Sequence, residues 1–132
     1  MKPLTVEHIM HRDPVTTTPL DTLASAQSVM QREGYRQLPV VEKGTLVGLL
    51  SDRDLHAHSG YLERTKVDAA MTERLITVTP ADTAAHTAGV LLEHRINAVP
   101  VVDGGRLIGI VSRSDLLRLL IELVDGLGEK GG

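Results

Sequence analysis

The sequence predicts an α/β (α+β) chain of two β-α-β-β-α repeats packed as a pseudo-twofold pair. Three observations carry the prediction. Residues 6–55 align with 67–116 at a constant offset of 61 without a gap, and 18 of the 50 aligned positions are identical. Self-similarity at a fixed spacing marks a repeated structural unit. Each copy also holds one stretch of helical apolar period followed by two short apolar runs around a glycine turn. Finally, the chain has 132 residues, and a copy of roughly 55 residues is marginal on its own. The copies are therefore expected to pack face to face about a local dyad, leaving two related clefts between them.

The elements follow in order. Residues 5–10 read as a short helical turn with Thr5 as cap and Val6, Ile9 and Met10 on one face; Val67, Ala70 and Met71 repeat the pattern. Val15-Thr16-Thr17-Thr18 and Ile76-Thr77-Val78-Thr79 are β-branched runs that stop at Pro19 and Pro80, so each reads as a short strand or extended edge. Asp21 and Asp82 are expected to open helices. In the first, Leu23, Ala26, Val29 and Met30 form the stripe and Gly34 closes it; in the second the stripe is Ala84, Ala88, Leu91 and Leu92. Gly89 inside the second helix costs about 1 kcal/mol relative to alanine, which is either an accident of the repeat or the mark of a close neighbour.

A hairpin comes next in each copy: 38–41 and 46–50 around Glu42-Lys43-Gly44-Thr45, then 99–102 and 107–111 around Asp103-Gly104-Gly105-Arg106. The closing helices begin at Ser51 and Ser112. These boundaries give a first repeat at 5–58, a linker at 57–66, a second repeat at 66–124 and a flexible glycine-rich tail at 125–132. In the last helix, Leu116, Leu117, Leu119, Leu120, Ile121, Leu123 and Val124 spread over more than one face. Such a helix needs two partners, its own core and a second subunit.

Composition narrows the function classes. Apolar residues make up 42% of the chain but aromatics only 2%, Tyr35 and Tyr61, so the core must come from Val, Leu, Ile, Ala and Met. Cysteine is absent, which removes disulfides, thiolate metal sites and cysteine nucleophiles. A net charge of -3 offers no field for nucleic acid. No stretch approaches the ~20 apolar residues needed to cross a bilayer, and the start lacks the apolar core of a secretory signal; the expectation is a cytoplasmic protein with no membrane or nucleic-acid partner. His56 and His58 do not share a helical face and the other four histidines lack ligand spacing, so no metal is expected. No nucleophile elbow, Walker loop or paired carboxylate is present, and no enzyme activity is expected.

The paired segments Tyr35-Arg36-Gln37-Leu38-Pro39-Val40-Val41 and Leu46-Val47-Gly48-Leu49-Leu50-Ser51-Asp52-Arg53-Asp54-Leu55 recur as Ile96-Asn97-Ala98-Val99-Pro100-Val101-Val102 and Leu107-Ile108-Gly109-Ile110-Val111-Ser112-Arg113-Ser114-Asp115-Leu116. Both motifs, twice, in one register, resemble a tandem cystathionine-β-synthase (CBS) domain pair, the Bateman module. The resemblance spans 5 to about 118 and implies a regulatory module that binds AMP, ADP, ATP or S-adenosylmethionine between its copies and dimerises into a flat disc.

Ser51-x-x-Asp54 and Ser112-x-x-Asp115 have two readings. One is a helix capping box. The other, implied by the resemblance, is ribose capture, since a carboxylate offers two acceptor oxygens to a diol. The resemblance also implies that each aspartate faces the other copy. One cleft would join Ser51, Arg53 and Asp54 to Ile76, Thr77, Ile96 and Asn97. The other would join Ser112, Ser114 and Asp115 to Val15, Thr16, Tyr35 and Arg36. Arg53 and Arg36 are the arginines available to phosphate, one per cleft, with a solvated surface role as the alternative. Tyr35 either stacks on adenine or fills the pocket.

The expected function is a regulatory sensor of an adenine nucleotide, with no catalytic cofactor, that signals to a partner protein of unknown identity through its dimer faces, 21–33, 82–95 and the last helix. A bridging ligand can shift that arrangement only by its differential affinity for the two states. The alternative is a structural protein–protein interaction module with empty clefts.

Overall fold

Short strands and amphipathic helices of this spacing can bury their apolar sides only against one another, and the computed structural model shows how. It describes residues 3–131, with side chains from 3 to 126; the tail expected over 125–132 falls largely outside those side chains. The fold mixes helices with antiparallel strands. Two compact units form, and their membership cuts across the sequence repeat. One contains Pro14–Ile76 and Gly104–Leu107; the other contains Met1–Asp13, Thr77–Asp103 and Ile108–Gly132.

In the unit of Pro14–Ile76, helix α2 (Leu23–Glu33) packs on the hairpin of β2 (Gln37–Glu42) and β3 (Thr45–Ser51), followed by α3 (Asp52–Ala57) and a 3-10 turn, Val67–Ala69. Leu23, Ala26, Met30, Leu38, Val40, Leu50, Leu55 and Val67 form the core, each large aliphatic side chain contributing about 1.5–3 kcal/mol by burial. The hairpin turns at Lys43 and Gly44, both at positive φ (52° and 82°), the two-residue geometry that suits strand twist. The 3-10 turn is seated by Val67 N–H donating to Asp21 O (2.8 Å) and Asp68 N–H to Pro19 O (3.0 Å). Thr72 and Leu49 then exchange backbone bonds of 2.8 and 3.0 Å. The expected edge strand at 15–18 is a single parallel bridge, Thr17 to Val40.

The other unit repeats this plan with α4 (Ala84–His94), β4 (Ala98–Asp103), β5 (Arg106–Ser112) and α5 (Arg113–Gly131). Here the opening turn is α1 (Val6–Ile9), tied by Val6 N–H to Asp82 O (2.8 Å) and Glu7 N–H to Pro80 O (3.0 Å), and followed by β1 (His11–Arg12), which pairs antiparallel with β5. The turn that opens each sequence copy is thus built into the unit carrying the hairpin of the other copy. Val78 and Val101 make the parallel bridge of this unit.

Two expectations are corrected, and an alternative left open at Gly89 is decided. Asp21 and Asp82 do not cap the helices: Thr22 and Thr83 do, accepting from Ser25 N–H and His86 N–H (3.1 and 3.0 Å). Asp21 instead accepts from Thr18 N–H (3.0 Å) and the Thr17 hydroxyl (2.8 Å). The α4 stripe is Ala84, Thr87 and Leu91, because Thr87 hides its hydroxyl against Thr83 O (3.0 Å), and Leu92 is 69% exposed. Gly89 has open space around it and no close neighbour.

The Thr18 backbone N–H, with the Thr17 hydroxyl, holds the Asp21 carboxyl below its ordinary value. A folded pKa below the unfolded one gives stability that is present above the ordinary carboxylate range and lost as pH falls through the folded value. We therefore expect Asp21→Asn to be less stable than the parent at neutral pH and to narrow the gap on acidification, read from urea midpoints along a pH series.

Candidate functional site

Within the Pro14–Ile76 unit, the parallel Thr17–Val40 bridge sets Val15 and Thr16 at the same end as the start of β2, where Tyr35 and Arg36 enter. Antiparallel pairing of Gln37 with Ser51 brings the end of β3 to that edge. Arg36 O then accepts from Asp52 N–H (3.0 Å), the first amide of α3. Val15, Thr16, Arg36, Ser51, Arg53 and Asp54 are thereby gathered on one edge, with Val15, Thr16, Ser51 and Asp54 half-buried and both arginines exposed. In the other unit the Val78–Val101 bridge and the bond from Arg113 N–H to Asn97 O (2.8 Å) gather Thr77, Ile96, Asn97, Ser112, Ser114 and Asp115 in the same way. Ile76 is the last residue of the first unit's long segment. The sequence-derived clefts draw residues from both units.

The serine–aspartate motifs do form caps. Ser51 N–H and the Ser51 hydroxyl both donate to Asp54 Oδ2 (2.8 and 3.0 Å), and Asp54 N–H donates to Ser51 Oγ (3.3 Å). Ser112 N–H likewise donates to Asp115 Oδ2 (2.8 Å), and Asp115 N–H to Ser112 Oγ (3.2 Å). The two readings of the motif therefore divide the carboxylate. Oδ2 belongs to the cap, whereas Asp54 Oδ1 has no partner among the described residues. Among the described residues, Asp115 Oδ1 meets only Arg118 Nη1 (3.3 Å), on a side chain 71% exposed, and such a surface pair is worth little. Of the first three amides of α3, those of Asp52 and Asp54 are committed, which leaves the Arg53 amide for an anion; Ser114 holds that place in α5.

Tyr35 sits in a groove of about 290 Å³ with Gln27, Gln31, Asp52 and His56, on the α2–α3 side of its unit. Sequence reasoning passed over Gln37, whose Oε1 is buried without a partner among the described residues. Its counterpart Ala98 carries no such group, and that difference was the available signal. Buried polar atoms are nearly always paired, so the β2 end of this edge holds an unfilled acceptor. No three His, Cys, Asp or Glu side chains converge on a point among the described residues.

The CBS domain family model matches residues 6–59 and 67–122. The chain belongs to the CBS domain family. The CBS domain-containing protein YhcV of Bacillus subtilis (strain 168) is 32% identical over 114 residues, covering 84% of this chain and 81% of YhcV. Among solved structures, CBSX2 in complex with AMP superposes with a TM-score of 0.84 at 28% identity, over 91% of this CBS chain and 98% of that one. The CBS domain pair of protein MJ0100, in complex with methylthioadenosine and S-adenosyl-L-methionine, gives 0.81 at 26% identity, over 90% and 97%. No helix of this CBS protein, among the described residues, is long and apolar enough to cross a membrane.

Proposed function

We propose that this CBS protein is a cytoplasmic, homodimeric regulatory module that binds an adenosine-containing ligand (AMP, ADP, ATP or S-adenosylmethionine) and reports it to a partner protein by favouring one arrangement of its repeats or of its dimer. It acts by binding and not by catalysis. The carrying observation is the divided carboxylate: each unit presents an aspartate whose Oδ2 is held by its cap, while Oδ1 has no partner among the described residues at Asp54 and meets an exposed arginine at Asp115. The AMP-bound and S-adenosylmethionine-bound relatives support the ligand class. In this reading Asp54 and Asp115 hold ribose hydroxyls, and Ser51, Ser112 and Ser114 lie toward the phosphates with the Arg53 amide. Ile76, Thr77, Ile96 and Asn97, and likewise Val15, Thr16, Tyr35 and Arg36, serve the base and phosphates, with the Arg36 and Arg53 side chains meeting negative charge.

Thermal unfolding with each nucleotide tests this reading. A ligand present at about 100 times its dissociation constant adds ~2.7 kcal/mol of stability. We expect at least one of the four to raise the midpoint, and native mass spectrometry to show the same compound bound and unchanged. No shift with any of them would leave the module an interaction domain with empty edges, the reading that the exposed leucines of α5 favour.

A further inference from the structure

The two edges follow one plan but differ in charge. The 61-residue offset sets Arg36 against Asn97, Arg53 against Ser114 and Asp52 against Arg113. Asp52, Leu55 and His56 line the α2–α3 groove, and Arg113, Leu116 and Leu117 line the matching α4–α5 groove. Residues at i, i+3 and i+4 share one helical face. Arg53 and Ser114, one residue onward, stand about 100° around the axis from it. Positions 52 and 113 thus belong to the grooves, and the charge at each edge is set by positions 36 and 53 or by 97 and 114.

The resemblance set Arg53 and Arg36 in different clefts, whereas the strand pairing sets both on one edge. Asp52 N–H donates to Arg36 O (3.0 Å), so the two arginines leave the backbone on either side of a single hydrogen bond. Both are exposed, and neither enters an ion pair among the described residues. Asp54 Oδ1, also without a partner among them, lies one residue beyond Arg53. At the other edge the bond from Arg113 N–H to Asn97 O (2.8 Å) repeats the link, but it joins neutral Asn97 and Ser114, and Arg118 meets the Asp115 carboxylate itself (3.3 Å). One edge therefore offers an acceptor for a diol and two forks for phosphate oxygens. The other offers the acceptor without the forks.

We propose that the two edges take different ligands: the Asp54 edge an adenosine carrying a chain of two or three phosphates, met jointly by Arg36 and Arg53, and the Asp115 edge an adenosine derivative without phosphate. This rests on the ribose reading above and deepens it from one ligand class to one class for each edge. Two arginine forks suit a chain, because adjacent phosphates present oxygens to both. Asn97 and Ser114 hydrogen-bond neutral groups and supply no charge to offset the desolvation of phosphates.

Isothermal titration with adenosine and with ATP, on chains that keep one of the two aspartates, tests it. In Asp115→Ala, ATP is expected to bind about 100-fold more tightly than adenosine, through two charge-assisted contacts. In Asp54→Ala, the same ratio is expected to stay below about 10-fold. Installing the counterparts in the first chain, Arg36→Asn with Arg53→Ser, is expected to bring its ratio down to that level. The reverse exchange in the second, Asn97→Arg with Ser114→Arg, is expected to raise its ratio about 10-fold or more. All four positions are exposed, so the far-ultraviolet circular dichroism is expected to stay unchanged. An ATP preference that survives Arg36→Asn with Arg53→Ser, or one equally strong in both single aspartate variants, would overturn the proposal and leave the ribose reading standing. Failure of both compounds to bind either chain would overturn that reading, and the proposal with it.

Discussion

Alanine at Asp54 is expected to raise the dissociation constant for nucleotide at its own edge at least ~100-fold and to leave the Asp115 edge as it is, with Asp115→Ala doing the reverse. A hydrogen bond to a charged acceptor is worth about 1.5–3 kcal/mol, and two ribose hydroxyls on Asp54 Oδ1 therefore account for roughly two decades or more of affinity. The same change removes the cap, since Ser51 N–H and hydroxyl both donate to Oδ2, for a loss of ~1 kcal/mol of stability. The two effects are separable. Isothermal titration reports the ligand loss, and the unfolding midpoint without ligand reports the cap. Ser51→Ala removes the hydroxyl from the cap while sparing Oδ1, so it is expected to lower the midpoint and to cost less affinity than Asp54→Ala. Full nucleotide binding by both single aspartate variants would show that these carboxylates only close helices.

Gly109→Ala is expected to destabilise the chain by about 1–3 kcal/mol, and Gly48→Ala by less. A Cβ at Gly109 would stand 2.9 Å from His11 O, a backbone atom held in the β1–β5 pairing, and 2.8 Å from Met10 Sδ. At Gly48 the first clash is with Met71 Sδ (2.5 Å), the far end of a flexible side chain, and the backbone atom, Thr72 O, lies farther away at 3.2 Å. A methionine can swing aside, but a paired carbonyl cannot. Urea unfolding of the two variants gives the order; a Gly109→Ala as stable as the parent, or Gly48→Ala as the worse of the two, would refute the account.

How much of this was legible depends on whether the deciding interaction is local. The hairpins are read directly from Lys43-Gly44 and Gly104-Gly105, because positive φ at a two-residue turn selects glycine. Ser51-x-x-Asp54 announces its cap because donor and acceptor lie three residues apart. The helix starts were displaced by one residue because Asp21 and Thr22 are both good caps, and only the backbone path shows that Asp21 turns back to Thr17 and Thr18. The α4 stripe was misread at Leu92 because a buried threonine looks polar in a pattern search. At the edges, the serines and aspartates were visible from the repeat, but the use of the Asp52 and Arg113 amides by Arg36 and Asn97 was not. Those bonds join positions 16 residues apart through a hairpin. The seating of Val6 on Asp82 and of Val67 on Asp21 lay beyond any window, since nothing near Val6 signals a partner 76 positions away.

That exchanged seating bears on how the chain can be divided. A gene severed in the linker would give one fragment an α1 whose anchors are on the other, and would strip Val67 from the core it fills. Neither product would hold a whole set of parts. The two halves are one folding problem despite their doubled sequence, and any rearrangement of such genes that preserves function must move both copies together.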